Sequence, residues 1–394
     1  MELAIYGGSF NPPHLGHREA LVSAMKELKP DRMMVIPDHE PPHKEMAPGS
    51  PSTEQRLRLC RLNFSDLEGV EVSDMEVRRS GKSYTYDTVR ELEETLPEGS
   101  VLTLLLGTDM FLSFEEWYHF DYLLHHCVLA VLAREEDDRD LLLHTAERFI
   151  EAYGARVRLL PHEPLPMHSA EIREMLPKRS GTDLLYPPVY AEIIRQRFYG
   201  AQPELSWLRE QAYGMLDEKR IAHVAGCESE AVRLSQCWGE DPEVCAEAGI
   251  LHDITKRLSY EEQLKLCEKY GMMCDIAELE RPKLLHARTG AALARDRFGV
   301  TDAVYEAIRW HTTGKPDMNL LEKIVYLADY IEPTRDFPGI DELRRLAYED
   351  LDAAVLLGLQ MTVREIRECG QEPYIDTLEA CTWYEARINE RRDN

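Results

Sequence analysis

The sequence lacks the features of membrane, secreted and zinc-finger proteins. No apolar run approaches the roughly 18 residues of a membrane span, and the N-terminus has no apolar signal-peptide region. Nine cysteines occur, but they form neither a CxxC pair nor a Cys–His cluster with zinc-finger spacing. This cysteine usage is typical of a reduced compartment. We therefore expect a cytoplasmic protein that does not bind a membrane.

Positive charge is also scarce. Lys and Arg number 46 against 72 Asp and Glu, which gives a net charge of −26. Such an acidic surface argues against a nucleic-acid partner or an anionic membrane surface. Small anionic ligands remain compatible with this composition where positive groups converge in a pocket.

The chain, with 394 residues, is long enough for two domains. Its first half alternates helix-like stretches with short apolar runs, which predicts a doubly wound, parallel α/β sheet covered on both faces. From about residue 205 onward, the sequence is typical of consecutive helices. We expect an α/β domain over 1–203 and an all-α domain over 204–394. The oligomeric state, including a homo-oligomer, is left open. The apolar runs are 3–6, 33–37, 70–72, 101–106, 127–132 and 156–160.

The stretch GGSFNPPHLGH, residues 7–17, lies between the first predicted strand and a helix that begins near Leu15. Gly7 and Gly8 let a ligand approach the backbone, and the helix start offers free N–H groups at the edge where α/β proteins bind nucleotides. His14 and His17 are three residues apart, so both side chains can face one site. Imidazoles there can donate hydrogen bonds to phosphate oxygens as pyrophosphate leaves. The motif predicts phosphate chemistry by positioning and electrostatics.

This motif resembles the signature of the HxGH nucleotidylyltransferase superfamily. Further stretches resemble one branch, the bacterial nicotinate-mononucleotide adenylyltransferases, over residues 1 to about 200. The resemblance implies adenylyl transfer from ATP, accompanied by Mg²⁺, to nicotinate mononucleotide, giving deamido-NAD and pyrophosphate. These stretches are IPDHEPPHK (36–44), SYTYDTVREL (83–92), LLLGTDMF (104–111), EEWYHFDYLL (115–124) and LAR (132–134).

The resemblance also implies roles for individual residues. An indole face suits an electron-poor pyridine ring, so Trp117 argues against the alternative pantetheine-phosphate or cytidylyl acceptors, which present no such ring. The implied catalytic residues are His14, His17, Lys44 and Arg173. The implied ATP contacts are Gly7, Gly8, Ser9, Phe10, His14, His17, Gly107, Asp109, Ser169, Ile172 and Arg173. The implied nicotinate-mononucleotide contacts are Lys44, Thr85, Trp117, Tyr118 and Arg134.

One element departs from the family pattern. The second phosphate element of these enzymes reads close to SSTxIR, whereas residues 168–173 of this chain read HSAEIR. Ser169 and Arg173 are retained, but Ala170 replaces the threonine and His168 replaces a serine. We expect weaker ATP binding, seen as a higher KM, rather than an inactive site.

The second half contains only four histidines, and each lies in or beside an apolar helical stretch. Asp253 directly follows the second of them, and Asp329 lies inside the apolar helix KIVYLADYIE. A buried carboxylate needs compensation, which a metal ion can provide. The pattern therefore predicts a metal centre. The four histidines are His223, His252, His286 and His311.

The order H…HD…H…H…D resembles that of HD-domain phosphohydrolases. From about 215 to 385 the chain resembles the bacterial symmetrical diadenosine tetraphosphate hydrolases. The resemblance implies one metal bound by His223, His252, Asp253 and Asp329, and a second bound by His286 and His311 with Asp253 bridging. It favours iron, in keeping with mixed imidazole and carboxylate ligands. Asp253 and Lys256 would be catalytic. Four residues near these ligands are expected to contact the polyphosphate: Lys256 lies one helical turn after His252, Thr312 and Gly314 follow His311 in a turn, and Arg335 lies in the loop after the helix of Asp329.

The sequence thus predicts a bifunctional enzyme acting on small nucleotides: ATP, nicotinate mononucleotide and a dinucleoside polyphosphate. For the second domain, alternatives remain. It could hydrolyse guanosine polyphosphates or mononucleotides, or it could sense a nucleotide and regulate the transferase without turnover.

Overall fold

The structure, a computed structural model, describes residues 1–42, 45–133, 138–161, 165, 167–274 and 284–393. Lys44 and Arg134, both expected to contact substrate, lie outside the described residues. The chain divides into two compact units, Met1–Gln202 and Pro203–Asn394.

The first unit contains a six-stranded sheet in which every strand pair is parallel. The strand order is β3-β2-β1-β4-β5-β6, so the winding direction reverses between β1 and β4. In open α/β sheets, ligands bind outside the carboxyl ends of the strands at such a reversal. The predicted doubly wound parallel sheet is confirmed. The strands are β1 (Glu2–Gly8), β2 (Arg32–Pro37), β3 (Val70–Val72), β4 (Val101–Gly107), β5 (Cys127–Leu132) and β6 (Arg156–Leu159).

Helices cover both faces of this sheet. Along β1, Leu3 and Ile5 pack into one apolar cluster, while Ala4 packs with Leu21 of the first helix into another. Side chains of a strand alternate between faces, which explains why continuous apolar strands suit a sheet buried on both sides. The helices are α1 (Leu15–Leu28), α2 (Thr53–Phe64), α3 (Thr85–Thr95), α4 (Thr108–Leu112), α5 (Phe120–His126), α6 (Asp138–Tyr153), α7 (Ser169–Met175) and α8 (Pro187–Gln196), with short 3₁₀ segments at Phe114–Glu116, Leu176–Lys178, Thr182–Leu184 and Phe198–Gly200.

The second unit consists of helices joined by loops, with no strand among its described residues, 203–274 and 284–393; the predicted all-α domain is confirmed. Several helices begin at a polar cap; Asn319, for example, accepts a hydrogen bond from Glu322 N–H, and Glu322 reciprocates. The helices are α9 (Leu205–Tyr213), α10 (Glu218–Trp238), α11 (Pro242–Leu251), α12 (Tyr260–Lys269), α13 (Leu285–Phe298), α14 (Asp302–Trp310), α15 (Leu320–Ile331), α16 (Ile340–Glu349), α17 (Leu351–Glu368) and α18 (Ile375–Asp393).

Helix α15 runs through the core of this unit, where Ile324, Val325, Leu327 and Ala328 are fully buried. Across all described residues, none of the helices combines the length and apolar character needed to cross a membrane.

Candidate active sites

The first candidate site lies at the carboxyl ends of β1 and β4, where the sheet reverses direction. A cavity of about 530 Å³ opens there, a size typical of small-molecule sites. Most of the expected ATP contacts line it, together with three expected acceptor contacts. These lining residues are Gly7, Gly8, Ser9, Phe10, His14, His17, Gly107, Ser169 and Arg173 on the ATP side, and Thr85, Trp117 and Tyr118 on the acceptor side.

The two histidines of the HxGH motif lie together at the start of α1. Their ring centroids are 3.7 Å apart, and His14 is the N-cap residue of the helix. The backbone N–H of His14 donates to His17 Nδ1 at 3.3 Å. A backbone N–H can only donate, so Nδ1 of a neutral His17 is the acceptor and its proton resides on Nε2. His17 is therefore prepared to donate a hydrogen bond through Nε2.

The loop between β1 and α1 is held from several sides. Arg56 is buried at 1% exposure and donates to Ser9 O at 2.7 Å and to Asp38 Oδ1 at 2.8 Å. Asp38 Oδ2 accepts from the Ser9 hydroxyl at 2.6 Å. This buried ion pair fixes the backbone on which the phosphate-binding residues lie.

The HSAEIR element packs against the same loop. Ser169 Oγ donates to Pro12 O at 3.0 Å, and Arg173 Nη1 donates to Asn11 O at 2.7 Å. Ala170 and His168 line the cavity as well, so the departure from the family pattern lies on its wall.

Two of the expected ATP contacts do not line the cavity. Ile172 is fully buried and does not line the cavity. Asp109 is exposed in the first turn of α4 and also lies outside the cavity lining. Both positions were implied by resemblance alone.

The acceptor side of the cavity is aromatic. Trp117 is half-buried against Phe114, with ring centroids 4.9 Å apart, and still lines the cavity. Tyr118 is 50% exposed, and its ring lies 4.8 Å from that of Tyr84. The indole at 117 is therefore available to a ring that enters the cleft.

Glu76 is a cavity residue that the sequence reasoning did not identify. It is 7% exposed and accepts a hydrogen bond from Thr88 Oγ1 at 2.5 Å. Burial raises the pKa of Glu76. Asp38, which directly follows β2, could have been found from its place at a strand's carboxyl end; Arg56 and Glu76 carry no such local signal.

The second candidate site brings together all six expected metal ligands. His223 Nε2 lies 3.0 Å from Asp329 Oδ1 and 3.3 Å from His252 Nε2. On the other side, His286 Nε2 lies 3.1 Å from His311 Nε2 and 3.1 Å from Asp253 Oδ1. Two groups of three residues could each hold a metal ion, because the ligand atoms within each group lie within 4.8 Å of one another. The groups are His223, His252 and Asp329, and His252, Asp253 and His311.

Asp253 lies between the two halves of this cluster. Its Oδ2 is 3.7 Å from His223 Nε2 and 3.6 Å from His252 Nε2. Its Oδ1 faces His286 and is 3.7 Å from His311 Nε2. A carboxylate with one oxygen toward each pair of imidazoles is arranged to bridge two cations.

The orientation of the rings fits metal ions. His252 Nδ1 lies 2.7 Å from Gly249 O, and His311 Nδ1 lies 2.6 Å from Ile308 O. A carbonyl only accepts, so each Nδ1 carries the proton and each Nε2 presents its lone pair to the cluster. Among the described residues, the buried Asp253 Oδ1 has no partner in hydrogen-bonding geometry. Converging lone pairs and a carboxylate oxygen of this kind suit a cation.

The protonation states also suit a metal centre. Burial lowers the pKa of His252 to about 4 and that of His286 to about 4. Both imidazoles are therefore neutral near pH 7, the form that binds a metal.

Three cations surround the carboxylates. Arg220 donates to Asp253 Oδ2 at 2.8 Å, Arg335 donates to Asp329 Oδ1 at 2.7 Å, and Lys256 Nζ lies 2.9 Å from His286 Nε2. Their side chains remain 31%, 40% and 30% exposed, so each can also reach a ligand from solvent. Lys256 and Arg335 were expected here. Arg220 was not, although it precedes His223 by three residues on one helix face.

The expected turn after His311 contributes one group to the cluster. Thr312 Oγ1 lies 3.1 Å from His311 Nε2 and 3.3 Å from His286 Nε2. Gly314, by contrast, donates its N–H to Trp310 O at 2.9 Å, so that group is not offered to a ligand. A Cβ at Gly314 would meet Leu359 at 3.0 Å, which places this glycine against the core.

Comparison with known proteins matches each unit to a family. Residues 5–175 match the cytidylyltransferase-like family, and residues 220–334 match the HD domain. The chain is 37% identical over 169 residues to the symmetrical bis(5′-nucleosyl)-tetraphosphatase of Bacillus subtilis, covering 43% of this chain and 90% of that protein. It is 30% identical over 198 residues to a probable nicotinate-nucleotide adenylyltransferase of Fusobacterium nucleatum, covering 50% of this chain and 99% of that protein. The chain belongs to the nicotinate-nucleotide adenylyltransferases and to the symmetrical bis(5′-nucleosyl)-tetraphosphatases.

One further relative matches this chain across both of its units. A Mycoplasma genitalium protein, a probable nicotinate-nucleotide adenylyltransferase/Ap4A hydrolase, is 24% identical over 374 residues, which cover 93% of this chain and 99% of that protein. The predicted membership of the nicotinate-nucleotide adenylyltransferases and of the HD-domain hydrolases is therefore confirmed, and the chain is an enzyme of both classes. An HD domain implies divalent-metal binding, and the described residues include two groups that could hold a metal ion.

Proposed function

We propose that this chain is a bifunctional nucleotide enzyme. Its first domain, residues 1–203, transfers the adenylyl group of ATP to nicotinate mononucleotide, giving deamido-NAD and pyrophosphate. Its second domain, residues 204–394, hydrolyses diadenosine tetraphosphate symmetrically to two ADP. The observation that carries the proposal is that one polypeptide holds two sets of donor side chains. One is a histidine pair at the sheet reversal, and the other is a cluster of four histidines and two aspartates in the helical unit.

In the transferase, a phosphate oxygen of nicotinate mononucleotide attacks the α-phosphorus of ATP, and the bond to the β-phosphate oxygen breaks. The residues of the chain act by position and by charge rather than through a covalent intermediate. His17 donates through Nε2 to the phosphate oxygens on which negative charge accumulates, and Arg173 neutralises the leaving pyrophosphate. Mg²⁺ accompanies ATP and neutralises its phosphates.

The acceptor is selected by its ring. The half-buried Trp117 offers an indole face inside the cavity, and Thr85 at the start of α3 lines the same wall. Backbone N–H groups at a helix start suit the nicotinate carboxylate. Lys44 and Arg134 would complete the phosphate contacts of the acceptor.

In the hydrolase, the protein residues hold the metal ions and the polyphosphate. His223, His252, Asp253 and Asp329 would hold one ion, and His286, His311 and Asp253 the other; the mixed donors favour iron. Bound divalent ions would supply Lewis-acid polarisation of a phosphoryl group and an activated water. Lys256, Arg335 and Arg220 neutralise the phosphate chain, and Thr312 donates its hydroxyl. Water adds to the second phosphorus, and the central P–O–P bridge breaks, so that one substrate and one water give two ADP.

The surroundings of such an enzyme follow from its composition. We further propose a cytoplasmic location, in keeping with the cysteine usage of the sequence.

The choice of acceptor is tested by Trp117→Ala. We expect the KM for nicotinate mononucleotide to rise by about tenfold, because a stacked ring contributes roughly 0.5–1.5 kcal/mol beyond its burial, while the KM for ATP changes little. Deamido-NAD formation is measured by chromatography, with nicotinamide mononucleotide and phosphopantetheine as competing acceptors. Trp238→Phe, in the helical unit, is the matched control. Preference of the wild type for phosphopantetheine would reject the assigned acceptor.

The hydrolase reaction is tested by its products. We expect diadenosine tetraphosphate to yield ADP as the sole nucleotide, because attack at the second phosphorus divides the chain symmetrically. Anion-exchange chromatography separates ADP from ATP and AMP. Equal amounts of ATP and AMP would show asymmetric cleavage, and turnover of guanosine polyphosphates alone would assign a different substrate. Tight nucleotide binding without any turnover would favour a sensing module.

A further inference from the structure

Glu332 is a buried carboxylate beside the metal-ligand cluster. It directly follows α15 and is 0% exposed. Its Oε1 lies 3.0 Å from His223 Nδ1, its Oε2 accepts from the backbone N–H of Thr334 at 2.6 Å, and the Thr334 hydroxyl donates to Oε1. An ionised carboxylate without water is costly unless such donors surround it. These donors satisfy both oxygens of Glu332, and Oε1 accepts a hydrogen bond from His223 Nδ1–H.

His223 is supported differently from two other imidazoles of the cluster. His252 and His311 donate through Nδ1 to carbonyls of the preceding turn of their own chain segment, Gly249 and Ile308. His223 instead meets a carboxylate 109 residues away in the sequence. A carboxylate holds the ring more firmly than a carbonyl and raises the basicity of the opposite nitrogen.

Gly226 makes room for this carboxylate. A Cβ at position 226 would lie 2.5 Å from Glu332 Oε2, a distance no side chain can adopt without displacing one of them. Gly226 lies in the interior of α10, where glycine is less favourable for a helix than alanine. Glycine has the lowest helix propensity of the residues in α10, and it stands at the position where Glu332 approaches.

We propose that Glu332 is a positioning residue of the hydrolase. By accepting a hydrogen bond from His223 Nδ1–H, Glu332 fixes the ring so that Nε2 faces Asp329 at 3.0 Å and Asp253 at 3.7 Å. It thereby strengthens divalent-cation binding at the side of the cluster formed by His223, His252 and Asp329. This inference rests on the proposed metal-dependent function of that site.

The test compares Glu332→Leu and Glu332→Gln in the full-length chain, stripped of metal and titrated with Mn²⁺. Free Mn²⁺ is read by electron paramagnetic resonance, so the affinity is obtained without an activity assay. We expect Glu332→Leu to weaken one of two Mn²⁺ equivalents by about 10–100-fold. Glu332→Gln retains a carbonyl oxygen that accepts from His223, so its loss is smaller. The matched control is Glu322→Gln, a 2% exposed carboxyl at the other end of α15, which leaves both affinities unchanged.

Gly226→Ala tests the same contact without removing the carboxylate, and it decides the question if Glu332→Leu does not fold. Alanine favours the helix, so a weakened Mn²⁺ equivalent in this variant reports displacement of Glu332. Wild-type Mn²⁺ affinity in Glu332→Leu or in Gly226→Ala would overturn the proposal, as would equal losses in all four variants. A wild-type chain that binds two Mn²⁺ but leaves diadenosine tetraphosphate intact would reject the proposed substrate and leave the role of Glu332 standing.

Discussion

Asp253→Ala lowers the hydrolysis of diadenosine tetraphosphate by more than about a hundredfold and leaves adenylyl transfer unchanged. Asp253 offers one oxygen to His223 and His252 and the other to His286 and His311, so its loss affects both halves of the cluster. Loss of a mere outer-shell partner of a metal ligand already costs 10–100-fold. Initial rates of ADP release at saturating metal, together with metal content per chain, measure the effect.

Asp302→Asn is the control for this variant. Asp302 lies in the same helical unit, its side chain is 95% exposed, and it pairs with Arg295 at the surface. We expect it to retain hydrolysis and metal content. Full hydrolase activity in Asp253→Ala would mean that the cluster is not the hydrolytic site.

His17→Ala lowers the kcat of adenylyl transfer by about 10²–10³, the effect of removing one preorganised donor to developing charge. The backbone N–H of His14 fixes the His17 tautomer, so Nε2 carries the proton before substrate binds. The KM values for ATP and nicotinate mononucleotide change far less than kcat, because the donor acts mainly on charge that develops in the transition state. Steady-state kinetics of pyrophosphate release measure both quantities.

His125→Ala serves as its control. This exposed histidine does not line the cavity, and its Nδ1 lies 2.7 Å from Asp121 O of the same helix. An equal fall in kcat in both variants, or a change confined to KM in His17→Ala, would contradict the assigned role.

The elements of the fold were predictable because their signals are local. Short apolar runs such as LTLLL predicted β4, and the loss of strand patterning after about 205 predicted the helical unit. The strand boundaries differ from the predicted runs by at most two residues, as with β1, which extends over Glu2–Gly8 rather than 3–6.

The metal cluster was predictable for a different reason. Histidines are rare in the second half, and a carboxylate such as Asp329 inside an apolar helix needs a partner. These residue types can be recognised in the sequence before any distance is known, and the structure brings the six side chains together.

The supporting residues were not predictable in this way. Arg56 reaches Asp38 across 18 residues, and Glu332 reaches His223 across 109. No local pattern records such contacts, because they depend on how distant elements pack. Conversely, Ile172 and Gly314 lie in motifs that predicted ligand contacts. In the structure, Ile172 is fully buried and Gly314 packs against Leu359.

A single reaction containing ATP, nicotinate mononucleotide and diadenosine tetraphosphate tests the central claim, which is that one chain holds two chemically separate sites for phosphoanhydride chemistry. Wild type, His17→Ala and Asp253→Ala are compared on one product chromatogram. The account predicts that wild type forms deamido-NAD and ADP, that His17→Ala forms ADP alone, and that Asp253→Ala forms deamido-NAD alone. A folded variant that loses both products, or one that still forms both, would contradict the account.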